Sequence, residues 1–266
     1  MSLKLKDLYV GTFSTCLLVS LLALIPAAAA AQTLGLNFNV PAQVSPTEAP
    51  FVWYPDRFSP SNFSVISGDI LTESVAPAGF QTPTPSFYNT QGNKFDLVPG
   101  TNSVSIYVYV PSSWEVLPER LAGFWATAVN SSGVVGNDYP IIEFQGPINT
   151  EVAGPSYYPN GGVAGFYGWN NTANGGNGGW DLIGLPSGFR YNSWVKLTMA
   201  LGGGSFTYTV TDAAGSSLSI PSPLYDPTEA YLGNVILEAY NYDSAYTIKW
   251  KKLTFSFDSN SQIVWN

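Results

Sequence analysis

The chain has 266 residues, no histidine, one cysteine and a formal charge of −8, with 11% charged against 15% aromatic residues. Without imidazole or a second thiol, His-based catalytic triads, His-ligated zinc or haem, and any disulfide framework are excluded. The acidic balance argues against nucleic acid, whose phosphates require clustered Lys and Arg, and 45% apolar residues argue against a disordered chain.

Lys4 and Lys6 precede an apolar run from Leu8 to Ile25, which ends in Pro26 and alanines at 27–31. A positive start, an apolar centre and a small-residue end predict a secretory signal over 1–31, cleaved near Ala30 or Ala31. A retained membrane anchor is the alternative, because the run is long enough to span. Cys16 lies inside this segment. Cleavage predicts a secreted, extracellular or periplasmic protein with no second membrane segment.

Residues 32–60 are Pro-rich and read as an extended lead-in with one early strand near 34–40. From 61 to 266 the chain reads as one domain. Twenty prolines and 26 glycines separate short runs rich in Val, Ile, Thr, Tyr, Phe and Trp, which predicts many short antiparallel strands. The clearest are 103–110, 123–129, 139–145, 162–169, 194–201, 205–211, 234–242 and 247–257. The low-complexity loop 170–179 (NNTANGGNGG) reads as a plain connection between two of them. About a dozen strands in one domain imply an all-β fold of two packed antiparallel sheets.

Alternation along each strand separates a core face from an outer face. In YPIIEFQ the core takes Ile142 and Phe144, leaving Glu143 and Gln145 outward with Tyr139. In GFWATAV, Trp125 points out; in GFYGW, Tyr167 and Trp169; in SVSIYVYV, Tyr107 and Tyr109; in NVILEAYNY, Glu238, Tyr240 and Tyr242. The remaining strands turn Lys196, Thr198, Thr207, Thr209, Thr211, Thr254 and Ser256 outward. One outer face is thus expected to carry Tyr, Trp, Glu and Gln, and the other Thr, Ser and Lys. Rings interleaved with carboxylates and amides suit a glycan, whose C–H faces stack on aromatics while its hydroxyls hydrogen-bond the polar groups. The plainer alternative places these aromatics beneath loops as a satellite core.

Three segments resemble the concanavalin A-like jelly roll of legume-type lectins, laminin-G-like domains and several glycan-active enzymes. Ile142-Glu143-Phe144-Gln145 resembles the lectin strand Val-Glu-Phe-Asp. The run from Tyr191 through Trp194 to Ala200 resembles the Trp-centred strand of the back sheet, and 205–210 with the turn Asp212–Gly215 resembles its hairpin partner. The likeness spans about 103–257. It implies a jelly-roll sandwich and a glycan or polysaccharide partner. It also implies departures: Gln145 stands where the lectin strand has its metal-binding Asp, and no histidine is present, so that metal site is expected to be absent. The Glu-x-Asp-x-x-Glu motif of laminarinase-like enzymes and the His-containing motifs of alginate lyases are missing too.

These readings leave three functions open. A glycan-binding domain would stack sugar on Trp125, Tyr167, Trp169 and Tyr240, with Glu143, Gln145 and Glu238 on the hydroxyls. A glycoside hydrolase would use Glu143 and Glu238 as its carboxylate pair, which must stand about 5 Å apart for retention or about 6.5–9.5 Å for inversion. A structural or cell-surface protein would bury the aromatic face against another protein. No cofactor is expected, except that the laminin-G likeness allows a structural calcium at Asp138 or Asp181, for which a turn-forming Asp is the simpler account. Nucleic acid and membrane partners are not expected, and the oligomeric state is open. With so few charges and no histidine, stability is expected to vary little between about pH 5 and 8.

Overall fold

A computed structural model describes residues 32–36, 38, 42–77, 90–117, 120–147, 162–239 and 245–257. The expected signal segment, 1–31, and Tyr240 and Tyr242 lie outside the described residues.

Two large antiparallel sheets face each other. The front sheet runs β11 (Gly179–Gly184), β10 (Gly165–Asn170), β9 (Ile141–Gln145), β7 (Leu121–Trp125), β16 (Asn234–Ala239), β5 (Gln91–Asp96) and β2 (Tyr54–Pro55). The back sheet runs β14 (Ser217–Pro223), β13 (Ser205–Thr211), β12 (Ser193–Gly202), β6 (Thr101–Val110), β17 (Tyr246–Phe257), β4 (Ile70–Val75) and β3 (Asn62–Ile66), and β1 (Gln32–Leu36) pairs with the end of β17. A short ribbon joins β8 (Ala128–Asn130) to β15 (Glu229–Leu232). Among the described residues no helix is long and apolar enough to cross a membrane.

Alternating apolar residues make the core. Val104, Ile106 and Val108 of β6, Leu197 and Met199 of β12, and Phe206, Tyr208 and Val210 of β13 meet Phe124, Ile142, Phe144, Phe166 and Leu237 of the front sheet, and all are fully buried. Burying side chains of this size contributes about 1.5–3 kcal/mol each. One carboxyl joins them. Glu73 on β4 points inward between its partners Phe63 and Ile248, accepts a 2.8 Å hydrogen bond from the Trp250 indole, and is pushed up to about 8 by burial.

The expected strands are present, with informative differences. The run 123–129 divides into β7 and β8, because the amide of Thr127 turns to the Asn234 side chain at 3.0 Å and that of Ala126 to the Pro140 carbonyl. The lead-in 32–60 supplies a strand to each sheet, and Trp53 enters the core. Asp212 closes the β13–β14 turn, accepting the amides of Ala214 and Ser216 at 2.8 and 3.0 Å. The loop 170–179 is the tip of the β10–β11 hairpin, folded by positive-φ residues at 174–176 and by Asn174, whose amide reaches the Gly178 carbonyl at 2.7 Å.

One expectation about the faces is corrected. Tyr107 and Tyr109 do point outward, but β6 lies between β12 and β17, so they share the back face with Thr, Ser and Lys. Alternation separates inside from outside; strand pairing decides which sheet a strand joins.

Candidate functional site

On the outer side of the front sheet, three cross-strand rows bring distant segments together. The first is Tyr54–Lys94–Ile236–Trp125–Ile141, and the second Gly92–Glu238–Gly123–Glu143–Tyr167. Leu121–Gln145–Gly165 forms the third. Residues paired across a ladder point to the same face, so Trp125, Glu143, Gln145, Tyr167 and Glu238 share one face, as expected.

That face is covered where openness was expected. Trp125 is 6% and Tyr167 0% exposed, and Glu143, Gln145 and Glu238 are buried with them. The satellite-core alternative therefore describes Tyr167, whose hydroxyl donates to the Val163 carbonyl at 2.7 Å. Glu143 accepts the Trp125 indole N–H at 3.3 Å and the Gln145 amide at 2.6 Å. Its side chain lies across Gly123, where an added Cβ would collide with that of Glu143 and stand 2.9 Å from Oε2. Glu238 lies over Gly92 in the same way and accepts the Thr90 hydroxyl at 2.5 Å and Arg57 Nη1 at 3.2 Å. Burial pushes Glu143 up to about 7, against the hydrogen bonds of Gln145 and Trp125. Burial, with Asp56 adding to it and Arg57 opposing, pushes Glu238 up to about 8.

The first row opens onto a cavity of about 480 Å³. Its sheet side is a charged network from the 54–57 segment and β5. Arg57 holds Asp56 at 2.5 Å and reaches over the Trp125 ring, 5.4 Å from its centre; Lys94 reaches Asp56 at 3.2 Å and lies over Tyr54. The Tyr54 hydroxyl donates to Asp96 at 2.6 Å, and burial followed by that carboxylate raises its pKa. Tyr139, Tyr231 of β15 and Asn234 at the start of β16 line the cavity too. Tyr139 is 42% exposed. The volume suits a small ligand, and rings beside fixed donors and acceptors suit a sugar.

Of the residues proposed from sequence, Trp125 lines this cavity, Glu143 and Glu238 hydrogen-bond its lining residues Trp125 and Arg57, and Gln145 orients Glu143. Trp169 sits at the far edge of the sheet against Trp180, ring centres 5.1 Å apart. Tyr240 lies outside the described residues. Asp138 accepts the amides of Tyr225 and Asp226 at 3.0 and 2.9 Å, and Asp181 accepts the Asn170 amide at 2.9 Å. Both serve protein donors, and among the described residues no three acidic, His or Cys side chains come together to hold an ion. The sequence reading missed Tyr54, Asp56, Arg57 and Lys94. For the first three the signal is Tyr54-Pro-Asp-Arg57, a compact polar-aromatic motif within the Pro-rich lead-in.

No protein-family model and no curated protein matches the sequence. Solved structures do match the fold. The catalytic domain of an endo-1,3-beta-glucanase (laminarinase) from Thermotoga petrophila RKU-1 is similar at 12% identity, over 87% of this chain and 100% of that one, with a TM-score of 0.54. The CBM2 module of the evolved Dit of Lactobacillus casei BL23 phage J-1 is similar at 11% identity, over 90% and 100% of the two chains, with a TM-score of 0.51. In its sheets, its strand pairing and these likenesses, the chain has the fold of a concanavalin A-like jelly roll.

Proposed function

We propose that the protein binds a short stretch of polysaccharide in the front-sheet cavity. The observation that carries this reading is the meeting, in one cavity of about 480 Å³, of Trp125, Tyr139 and Tyr231 with the Asp56–Arg57–Lys94 network. Tyr139 and Tyr231 would stack on sugar C–H faces, and Asp56, Arg57 and Asn234 would meet hydroxyls. The network is held by ion pairs before any ligand arrives, which limits the ordering cost of binding. The similarity to a laminarinase catalytic domain supports a glycan partner by fold analogy alone. Residues 1–31, read as a secretory signal, support an extracellular setting.

A hydrolase is the second reading, favoured by the row that sets Glu143 and Glu238 two strands apart, about 9–10 Å between their Cα atoms. Access counts against it, since both carboxyls are buried and neither lines the cavity.

The test is calorimetric titration with β-glucan and xylan oligosaccharides, alongside a reducing-sugar assay on the same mixtures. Tyr139→Ala and Tyr231→Ala should each lower affinity by about tenfold. Unchanged affinity in both variants rejects the cavity, and sugar release by the wild type replaces binding with hydrolysis.

A further inference from the structure

We propose that the outer face of the back sheet is a second and separate glycan site, which takes a uronan, a polysaccharide bearing carboxylates, on three lysines, two of them held against aromatic rings. Two neighbouring rows build it. In one, Tyr107 on β6 is flanked by Lys196 on β12 and Lys251 on β17. In the next, Tyr109 pairs with Trp194, their rings meeting edge-on at 5.5 Å, and Lys249 lies 5.5 Å from the centre of the Tyr109 ring. The Lys251 ammonium stands 4.3 Å from the centre of the Trp194 ring and 5.4 Å from that of Tyr107. The rings hold the ammonium groups in place by cation–π attraction.

Among the described residues the charge on this face has no carboxylate opposite it. The eight back-sheet strands contain one acidic residue, Glu73, and it points into the core. Among the described residues the ion pairs involve Arg57 and Lys94, and none of Lys196, Lys249, Lys251 or the exposed Lys252 is paired with a carboxylate. A chain of net charge −8 therefore gathers four of its ten basic residues on one sheet face. Partial burial and then the neighbouring Lys252 hold Lys251 below its ordinary value, as expected for cations without a counter-charge. Lys252 itself sits in a β-bulge between Lys251 and Thr254 with φ +51°, a left-handed conformation that favours glycine. The bulge gives two consecutive lysines to a strand that otherwise alternates.

The surroundings favour a uronan over other anions. Duplex DNA presents a charge about every 1.7 Å, which a particle of net charge −8 repels, whereas a uronan carries one charge per sugar. Lys196 and Lys251 stand two strand spacings apart, about 9–10 Å, so they reach carboxylates on separate sugars of an extended chain. Outward hydroxyls beside the lysines, Thr254 and the pair Thr211 and Ser217 at 2.8 Å, offer further hydrogen bonds to sugar hydroxyls.

The experiment measures binding of the full chain to alginate and polygalacturonate oligosaccharides across a salt series. The wild type should bind, more weakly as salt rises. The triple variant K196Q/K249Q/K251Q should lose at least about tenfold in affinity with an unchanged melting temperature, while K196R/K249R/K251R should retain it. Tyr139→Ala should leave uronan binding intact, which separates this site from the front cavity. The proposal is overturned by wild-type affinity in the triple Gln variant, by no binding of either uronan, or by loss of uronan binding in Tyr139→Ala. Tighter binding of single-stranded DNA or of phosphatidylglycerol vesicles at the same salt overturns it as well.

Discussion

Glu143 and Glu238 are the two cross-strand partners of Gly123, so two buried carboxyls lie in one row with a single glycine between them. Each is committed to neighbours, Glu143 to Trp125 and Gln145, Glu238 to Thr90 and Arg57. Their role as supports of the cavity lining predicts that Glu143→Gln and Glu238→Gln change glycan affinity by less than about threefold. Titration of both variants checks this, and abolition of polysaccharide cleavage by either would establish them as a catalytic pair.

Gly123→Ala tests the row itself. The added methyl meets Glu143 with no room to turn, because β9 and β7 are held by the ladder on both sides of the contact. Overpacking of this kind costs about 1–3 kcal/mol, which urea unfolding should register as a lower midpoint at unchanged slope.

Stability should fall as pH rises. Glu73, Glu143, Glu229 and Glu238 are pushed to about 8, 7, 8 and 8, first of all by burial, from an ordinary value of 4.5. Raised folded-state values mean that their stabilising share is complete below about pH 4.5 and is lost as pH climbs to about 8, since the unfolded chain ionises first. The prediction runs opposite to the near-constant stability expected from the sparse charge, and the measurement decides between them. One pKa unit is about 1.4 kcal/mol and each kcal/mol moves the melting temperature about 2–4 °C, so calorimetry should find a drop of more than about 10 °C between pH 5 and 8. Glu73→Gln should make the curve flatter.

Glu229 makes the same point at a separate place. Its Oε1 accepts the Asp138 amide at 3.0 Å, its Oε2 has no hydrogen-bond partner among the described residues, and the neighbouring Asp138 carboxylate adds to the effect of burial. A neutral amide relieves that repulsion. Glu229→Gln should therefore stabilise the protein by about 1–3 kcal/mol at pH 8 and change little at pH 4.5. Urea midpoints at the two pH values measure the difference.

The fold was readable because period-2 alternation is a local property. The alternation of Val104, Ile106 and Val108, or of Phe206, Tyr208 and Val210, marks a strand and its buried side without knowledge of any partner. Sheet membership is not local, so alternation turns Tyr107 and Tyr109 outward without specifying the sheet on which they stand. Burial of an outer face is not local either. Trp125 and Glu238 are covered by Arg57, 68 and 181 positions away, and no pattern around either residue announces it. The site was half visible for the same reason: Trp125, Glu143 and Glu238 lie on strands with clear alternation, whereas Tyr54, Asp56 and Arg57 follow irregular backbone that has no period to read.

The antiparallel pairing of β1 with β17 sets Gln32 directly opposite Phe257, although 225 positions separate them. A load applied between these two residues pulls across the strands, so the ladder bonds would break one after another from Gln32 toward Leu36 instead of resisting together in shear. A segment attached before residue 32 and one attached after residue 257 would therefore tug at the same seam.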